Sequence, residues 1–119
     1  GKNIYITNAC ISPDYGGIYE QACYLKANDS FILISGCCHP GLNNFLKDRE
    51  FLGISDKTSL NLIGVFRSFK FSNKEANLLN PQINSLILWH CTKNIKAFKT
   101  QFREKYAIGI IGKSMIFPY

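Results

Sequence analysis

Three short, largely apolar runs, at positions 31–34, 60–66 and 86–89, constrain this chain more than any other feature. Each is followed by a loop and then by a helix-like pattern. Apolar runs of this length bounded by turn signals suit buried strands and are too short for buried helices. Strands alternating with helical patterns predict a mixed α/β sheet protein. No apolar run approaches the roughly 18 residues a membrane span needs. Positions 1–8 also lack the continuous apolar segment of a signal peptide. The expectation is a soluble, cytoplasmic protein without a membrane partner. A chain of 119 residues holds one modest core and reads as a single domain over 1–119.

Turn signals and spacing set the order of elements. A strand is expected at 3–7, followed by a loop through Ser12-Pro13-Asp14-Tyr15-Gly16-Gly17. Positions 21–27 and 31–35 form a hairpin around Asn28-Asp29-Ser30. The run at 31–34 is continuously apolar, which predicts burial on both faces. Positions 42–52 read as a helix with Leu42, Phe45, Leu46 and the stem of Arg49 on one side. A strand follows at 59–66. A short helix at 72–79 comes next, with Ser72 as its cap and Glu75 closing a capping box. Pro81 ends that helix. After a strand at 84–89, Thr92 is expected to cap a helix running to Tyr106. Ile95, Phe98 and Phe102 would face inward from it, and Lys93, Lys96, Lys99 and Arg103 outward. Short strands at 108–111 and 113–117 complete the pattern.

Composition removes several classes of protein. With 46% hydrophobic and 18% charged residues, the chain is not a disordered tail. Its five cysteines (Cys10, Cys23, Cys37, Cys38 and Cys91) are odd in number and form no C-x-x-C pair. That argues against both a disulfide framework and a zinc ribbon. For the adjacent Cys37 and Cys38, the simplest expectation is one thiol facing the core and its neighbour facing away. Charge is uneven: residues 1–60 carry five basic and six acidic side chains, and residues 61–119 carry nine and two. Such asymmetry suits an anionic partner, or a solvated lysine-rich face.

The two histidines share one local context. His39 lies in the loop between the strand at 31–35 and the helix after it, and His90 follows the strand at 84–89 just before the next helix. Loops beyond strand ends are where functional groups gather in α/β proteins, and histidine is the commonest metal ligand. His39 and His90 are therefore expected to share a site at one sheet edge, although 51 positions apart. Two imidazoles fall short of the three protein ligands of a catalytic zinc site. The nearest further donors in the sequence are Cys37, Cys38, Cys91 and Asp14.

These residues also carry a resemblance. The segment FILISGCCHPG at 31–41, with the helix after it, resembles the corresponding strand, loop and helix of the metallo-β-lactamase superfamily. It is most like the dihydropterin ribofuranosyl-aminobenzene phosphate synthase-like branch, whose loop reads G-C-S-H-P-G or G-C-A-H-P-G. Glu20-Gln21-Ala22 resembles the E-Q-A that opens that branch's preceding strand. Trp89-His90-Cys91-Thr92 and the helix after it resemble its H-C-T-G segment and final helix. Gly109 and the Gly112-Lys113 stretch resemble its terminal G-x-G-K strand. The resemblance implies half of an αββα sandwich, a mixed sheet with helices on its outer face, and matches the C-terminal half of the fold. It also implies metal-ligand positions at His39 and His90, with ligand-contacting roles for Arg67, Cys38 and Cys91. Family members are hydrolases with one or two zinc, iron or manganese ions, whose bound hydroxide attacks the substrate. Two departures stand out. The superfamily's H-x-H-x-D-H motif is not in this sequence. The branch's G-G-F-H-L segment reads Gly64-Val65-Phe66-Arg67-Ser68, and a guanidinium stays protonated and cannot ligate a metal.

Three functions follow as expectations. The first is the C-terminal part of a metal-dependent hydrolase, inactive alone and binding divalent metal weakly or not at all by itself. Its partner would be a second copy, or a separate N-terminal half, covering the inner sheet face. The second is a non-catalytic interaction module derived from that fold. The third is a small basic domain binding phosphorylated ligands or nucleic acid, which no recognised nucleic-acid motif supports.

Overall fold

Residues 3–12, 16–66, 71–89 and 92–109 are described in the computed structural model. Strands β1 (Ile4–Ile6), β4 (Cys23–Ala27), β5 (Ser30–Ser35), β6 (Ser59–Gly64), β7 (Ile83–Leu88) and β8 (Tyr106–Ile108) form one sheet in the order β1-β4-β5-β6-β7-β8. The first three are antiparallel neighbours, and β5 through β8 run parallel. Two-residue strands β2 (Cys10–Ile11) and β3 (Tyr19–Glu20) pair antiparallel as a small ribbon beside it. The parallel strands are joined by α1 (Leu42–Leu52), α2 (Asn73–Leu79) and α3 (Ile95–Phe102). The strands step one way across the sheet, and side chains of all three helices pack against one core, so the helices lie on one face.

Register shows which side chains meet them. Tyr5, Tyr24, Leu33, Leu62, Leu86 and Tyr106 lie across from one another on successive strands and so share a face. Tyr24, Leu33, Leu62 and Leu86 are fully buried and pack in one core with Leu42 and Phe45 of α1 and Phe98 and Phe102 of α3. The Tyr24 hydroxyl donates to the carbonyl of Phe45 at 3.0 Å, which ties β4 directly to α1. The opposite face carries Ile4, Ile6, Leu25, Ile32, Ile34, Ile63 and Ile87. Its β1–β5 end is open: Ile4, Ile6 and Ile34 are 61%, 51% and 39% exposed. Towards β6 and β7 it closes. Asn61 and Ile87 are buried there, and Asn61 accepts a hydrogen bond from Ser85 at 2.7 Å. The expectation that 31–34 is buried on both faces is thus corrected. Phe31 and Leu33 are buried and Ile34 is exposed, because the helices cover only one side.

Local rules account for most element boundaries. Helix α1 spans the expected residues and stops at Gly53, whose φ of 73° gives the left-handed C-cap that glycine adopts without a Cβ clash. The capping box at α2 forms as read: Glu75 N–H donates to the Ser72 hydroxyl, and the Ser72 N–H donates to the Glu75 carboxylate. Pro81 does not simply end the helical path. It sits early in a 3₁₀ turn (Asn80–Gln82), where no amide donor is needed. The expected cap at Thr92 is corrected as well. Its hydroxyl accepts instead from the backbone N–H of Phe66 at 3.2 Å, and α3 begins after Asn94. That helix ends at Phe102, and Tyr106 opens β8. The expected strand at 113–117, and 108–111 beyond Gly109, lie outside the described residues. No helix among the described residues is long and apolar enough to cross a membrane.

Candidate metal centre

The carboxyl ends of β5, β6 and β7 are stitched together just beyond the sheet. Val65 N–H donates to Gly36 O at 3.0 Å, and Trp89 N–H donates to Gly64 O at 3.1 Å. This stitching requires Gly64, whose φ is 145° and where an added Cβ would stand 2.1 Å from the carbonyl oxygen of Ser35. The loop carrying His39 leaves this edge at Gly36 and enters α1 through Gly41. Open α/β sheets bind ligands at this kind of edge.

Within the loop, Cys38 adopts a left-handed backbone with φ of 54°, a conformation uncommon outside glycine and asparagine. The turn closes with Gly41 N–H donating to Cys38 O at 3.1 Å. Its effect is to separate the two cysteines. Cys38 is fully buried in the core, and burial pushes its thiol up to about 12. Cys37 points outward and is exposed. His39 follows with its side chain only 10% exposed.

Glu20 holds His39 from the β3 side. One carboxylate oxygen meets Nδ1 of the ring, and the other accepts the His39 backbone N–H at 3.0 Å. An ionised carboxylate only accepts, so the contact places a ring proton on Nδ1, and in the neutral ring the lone pair is then on Nε2. This is the carboxylate–imidazole geometry that orients metal-binding histidines. Glu20 is fixed by the two residues after it. Gln21 Nε2 donates to Thr7 O at 2.9 Å, and the Ala22 N–H donates to the Thr7 hydroxyl at 2.8 Å. The Glu20-Gln21-Ala22 segment is therefore a clamp, with one residue turned to the site and two tied to Thr7, just beyond β1.

Glu20, Cys37 and His39 each offer a donor atom, and these atoms lie within 4.8 Å of one another. Carboxylate, thiol and imidazole are the three side-chain types that bind zinc and related divalent ions. The donor set therefore fits a divalent metal in kind and in spacing. Of the residues expected at the site, His39 stands here and Cys38 lies beneath it in the core. His90, Cys91 and Arg67 lie outside the described residues. Their described neighbours Phe66, Trp89 and Thr92 stand at this same edge. Glu20 was not among the residues singled out from the sequence as site residues. Its only sequence signal was its place at the head of the E-Q-A segment.

No protein-family model and no curated protein matches the sequence. The fold is similar to the crystal structure of Tm1679, a metal-dependent hydrolase of the beta-lactamase superfamily. The TM-score is 0.68 at 20% identity, over 99% of this chain and 55% of that one. The chain thus spans little more than half the length of that protein. Its fold is β-lactamase-like, a mixed sheet with helices on one face.

Proposed function

We propose that this chain contributes one metal-binding edge of a metal-dependent hydrolase of the metallo-β-lactamase kind. By its GCCHPG, E-Q-A and H-C-T motifs it falls with the dihydropterin ribofuranosyl-aminobenzene phosphate synthase-like branch. The observation that carries the proposal is the grip of Glu20 on His39, at the carboxyl end of β5. A divalent ion, whether zinc, iron or manganese, supplies Lewis acidity at such a site and brings the pKa of water to about 7. His39 would hold it through Nε2, with Glu20 at Nδ1 orienting the ring. His90 is proposed as a second ligand and Cys91 as its neighbour in the pocket. Arg67 would supply a fixed positive charge for an anionic substrate group.

The open end of the sheet supports a second element of this proposal. Exposed isoleucines at Ile4 and Ile6 on β1 and Ile34 on β5 flank the half-buried Cys23 and Leu25 of β4, and together they form an apolar strip across the three strands. Soluble proteins rarely leave such surface uncovered on a large scale. We assign its cover to the remaining half of a two-sheet sandwich, either a separate chain or a second copy. That half would complete the ligand set, so the isolated chain holds metal weakly and is inactive alone.

Metal titration with His39→Gln tests the first part. The wild-type chain should take up zinc and the variant should not; equal uptake would overturn the assignment. Light scattering during size-exclusion chromatography tests the second part. Self-association, or capture of a defined partner half, is expected, and a stable monomer that hydrolyses esters unaided would overturn it.

A further inference from the structure

We propose that Cys37 supplies a thiolate ligand to the ion held at His39, giving this chain a mixed nitrogen–sulfur centre of its own. The inference rests on the reading of His39 as a metal ligand and deepens it by naming the class of ion the site prefers. The geometry begins with the left-handed turn at Cys38, which sends the two adjacent cysteines in opposite directions. Cys38 enters the core and is fully buried, whereas Cys37 stays at the surface beside the imidazole and the carboxylate. The other described cysteines, Cys10 and Cys23, do not join this group.

Distance permits the bond. Zinc sits about 2.3 Å from a thiolate sulfur and about 2.0–2.1 Å from imidazole nitrogen, so tetrahedral donors stand roughly 3.5 Å apart. The Cys37 sulfur lies within 4.8 Å of both a His39 ring nitrogen and a Glu20 oxygen. The sulfur must still move inward to reach an ion at the ring. A rotation about χ1 of an exposed side chain supplies that movement, with no core contact to disturb. On binding, the Cys37 S–H bond breaks, the sulfur–metal bond forms, and the proton leaves to solvent. No oxidant or reductant takes part.

Chemistry then sets the preference. A thiolate paired with an imidazole favours zinc or cobalt over manganese or magnesium, which prefer oxygen donors. Glu20 would add a single oxygen donor that already accepts from His39, and it does not reverse the preference set by the nitrogen–sulfur pair.

Cobalt(II) added to the full 119-residue chain provides the test. A cysteine ligand gives a sulfur-to-cobalt charge-transfer band in the near ultraviolet, which nitrogen and oxygen ligands do not. The wild-type chain should show that band. Cys37→Ser should lose it and bind cobalt about tenfold or more weakly, at least the scale that even outer-shell partners command. Cys38→Ala and Cys91→Ser should retain the band. Cobalt binding without the band, or a band that survives Cys37→Ser and vanishes in Cys91→Ser, would overturn the thiolate while leaving His39 as a ligand. No cobalt binding at all would overturn both. Circular dichroism of each variant separates loss of a ligand from loss of the fold.

Discussion

Replacing Glu20 with glutamine probes the site most directly, because it changes charge and hydrogen bonding while preserving shape. The carboxylate accepts twice from His39, once at Nδ1 and once from the backbone N–H at 3.0 Å. Glutamine keeps one oxygen and replaces the other with an NH₂ group. If its oxygen serves the ring, the NH₂ meets the His39 N–H, donor against donor. If its oxygen serves the backbone, the NH₂ faces Nδ1 and draws the ring into the other tautomer, with Nε2 protonated and unable to bind metal. The first arrangement replaces a favourable contact with a repulsive one, and the second keeps a hydrogen bond but removes the lone pair that would bind the ion. A hydrogen bond to a charged group contributes about 1.5–3 kcal/mol. At about 1.4 kcal/mol per factor of ten, that corresponds to roughly ten- to a hundredfold in affinity. Outer-shell partners of metal-binding histidines independently command about the same range. Competition with a chromophoric chelator at fixed pH measures the effect, and Glu20→Gln should weaken zinc binding within that range. Unchanged affinity in a variant with wild-type circular dichroism would refute Glu20 as the group that orients His39.

Two further predictions concern the scaffold. Gly64→Ala should cost at least about 3 kcal/mol, since only glycine readily adopts φ of 145° and the new Cβ would overlap the Ser35 carbonyl; a denaturant midpoint equal to wild type would contradict the stitched strand ends. Tyr24 is fully buried, and burial pushes its phenol above the ordinary value of 10. Above pH 10 the unfolded chain releases this proton while the folded chain keeps it, so stability should fall as pH rises from there. Tyr24→Phe should lose about 1 kcal/mol at neutral pH with its bond to Phe45 O, and should flatten that alkaline decline; parallel pH profiles for the two proteins would count against it.

Features that depend on a few neighbouring residues were legible in the chain. The helix at 42–52 follows from the spacing of Leu42, Phe45 and Leu46 between two glycines, and the Ser72–Glu75 box from residues three apart. His39's corner between a strand and a helix was legible in the same way. What escaped depends on distant partners. Thr92 reads as a helix cap, but its hydroxyl is taken by Phe66, 26 positions away. Strands β2 and β3 have only two residues each, too few for any periodicity. The importance of Glu20 lies wholly in a contact across 19 positions, and the folded chain alone reveals it. Burial of the apolar run at 31–34 was read from composition, which cannot say how many faces a layer of helices will cover.

The apolar strip and the donor cluster are two consequences of one arrangement. The helices pack on a single face, which leaves the β1–β5 end of the opposite face open. The parallel strands send their carboxyl ends, and with them the loop of His39, to one edge of that sheet. A group packed on the open face would reach past Ile34 to that edge, since Ile34 and His39 are separated by a single loop. Covering the strip would then also wall the donors off from water, and a divalent ion polarises a bound group far more strongly in such low-dielectric surroundings. On this reading the exposure of Ile4, Ile6 and Ile34 and the three-donor set at Glu20, Cys37 and His39 are a matched pair. A partner on this surface would then both bury the strip and enclose the donors.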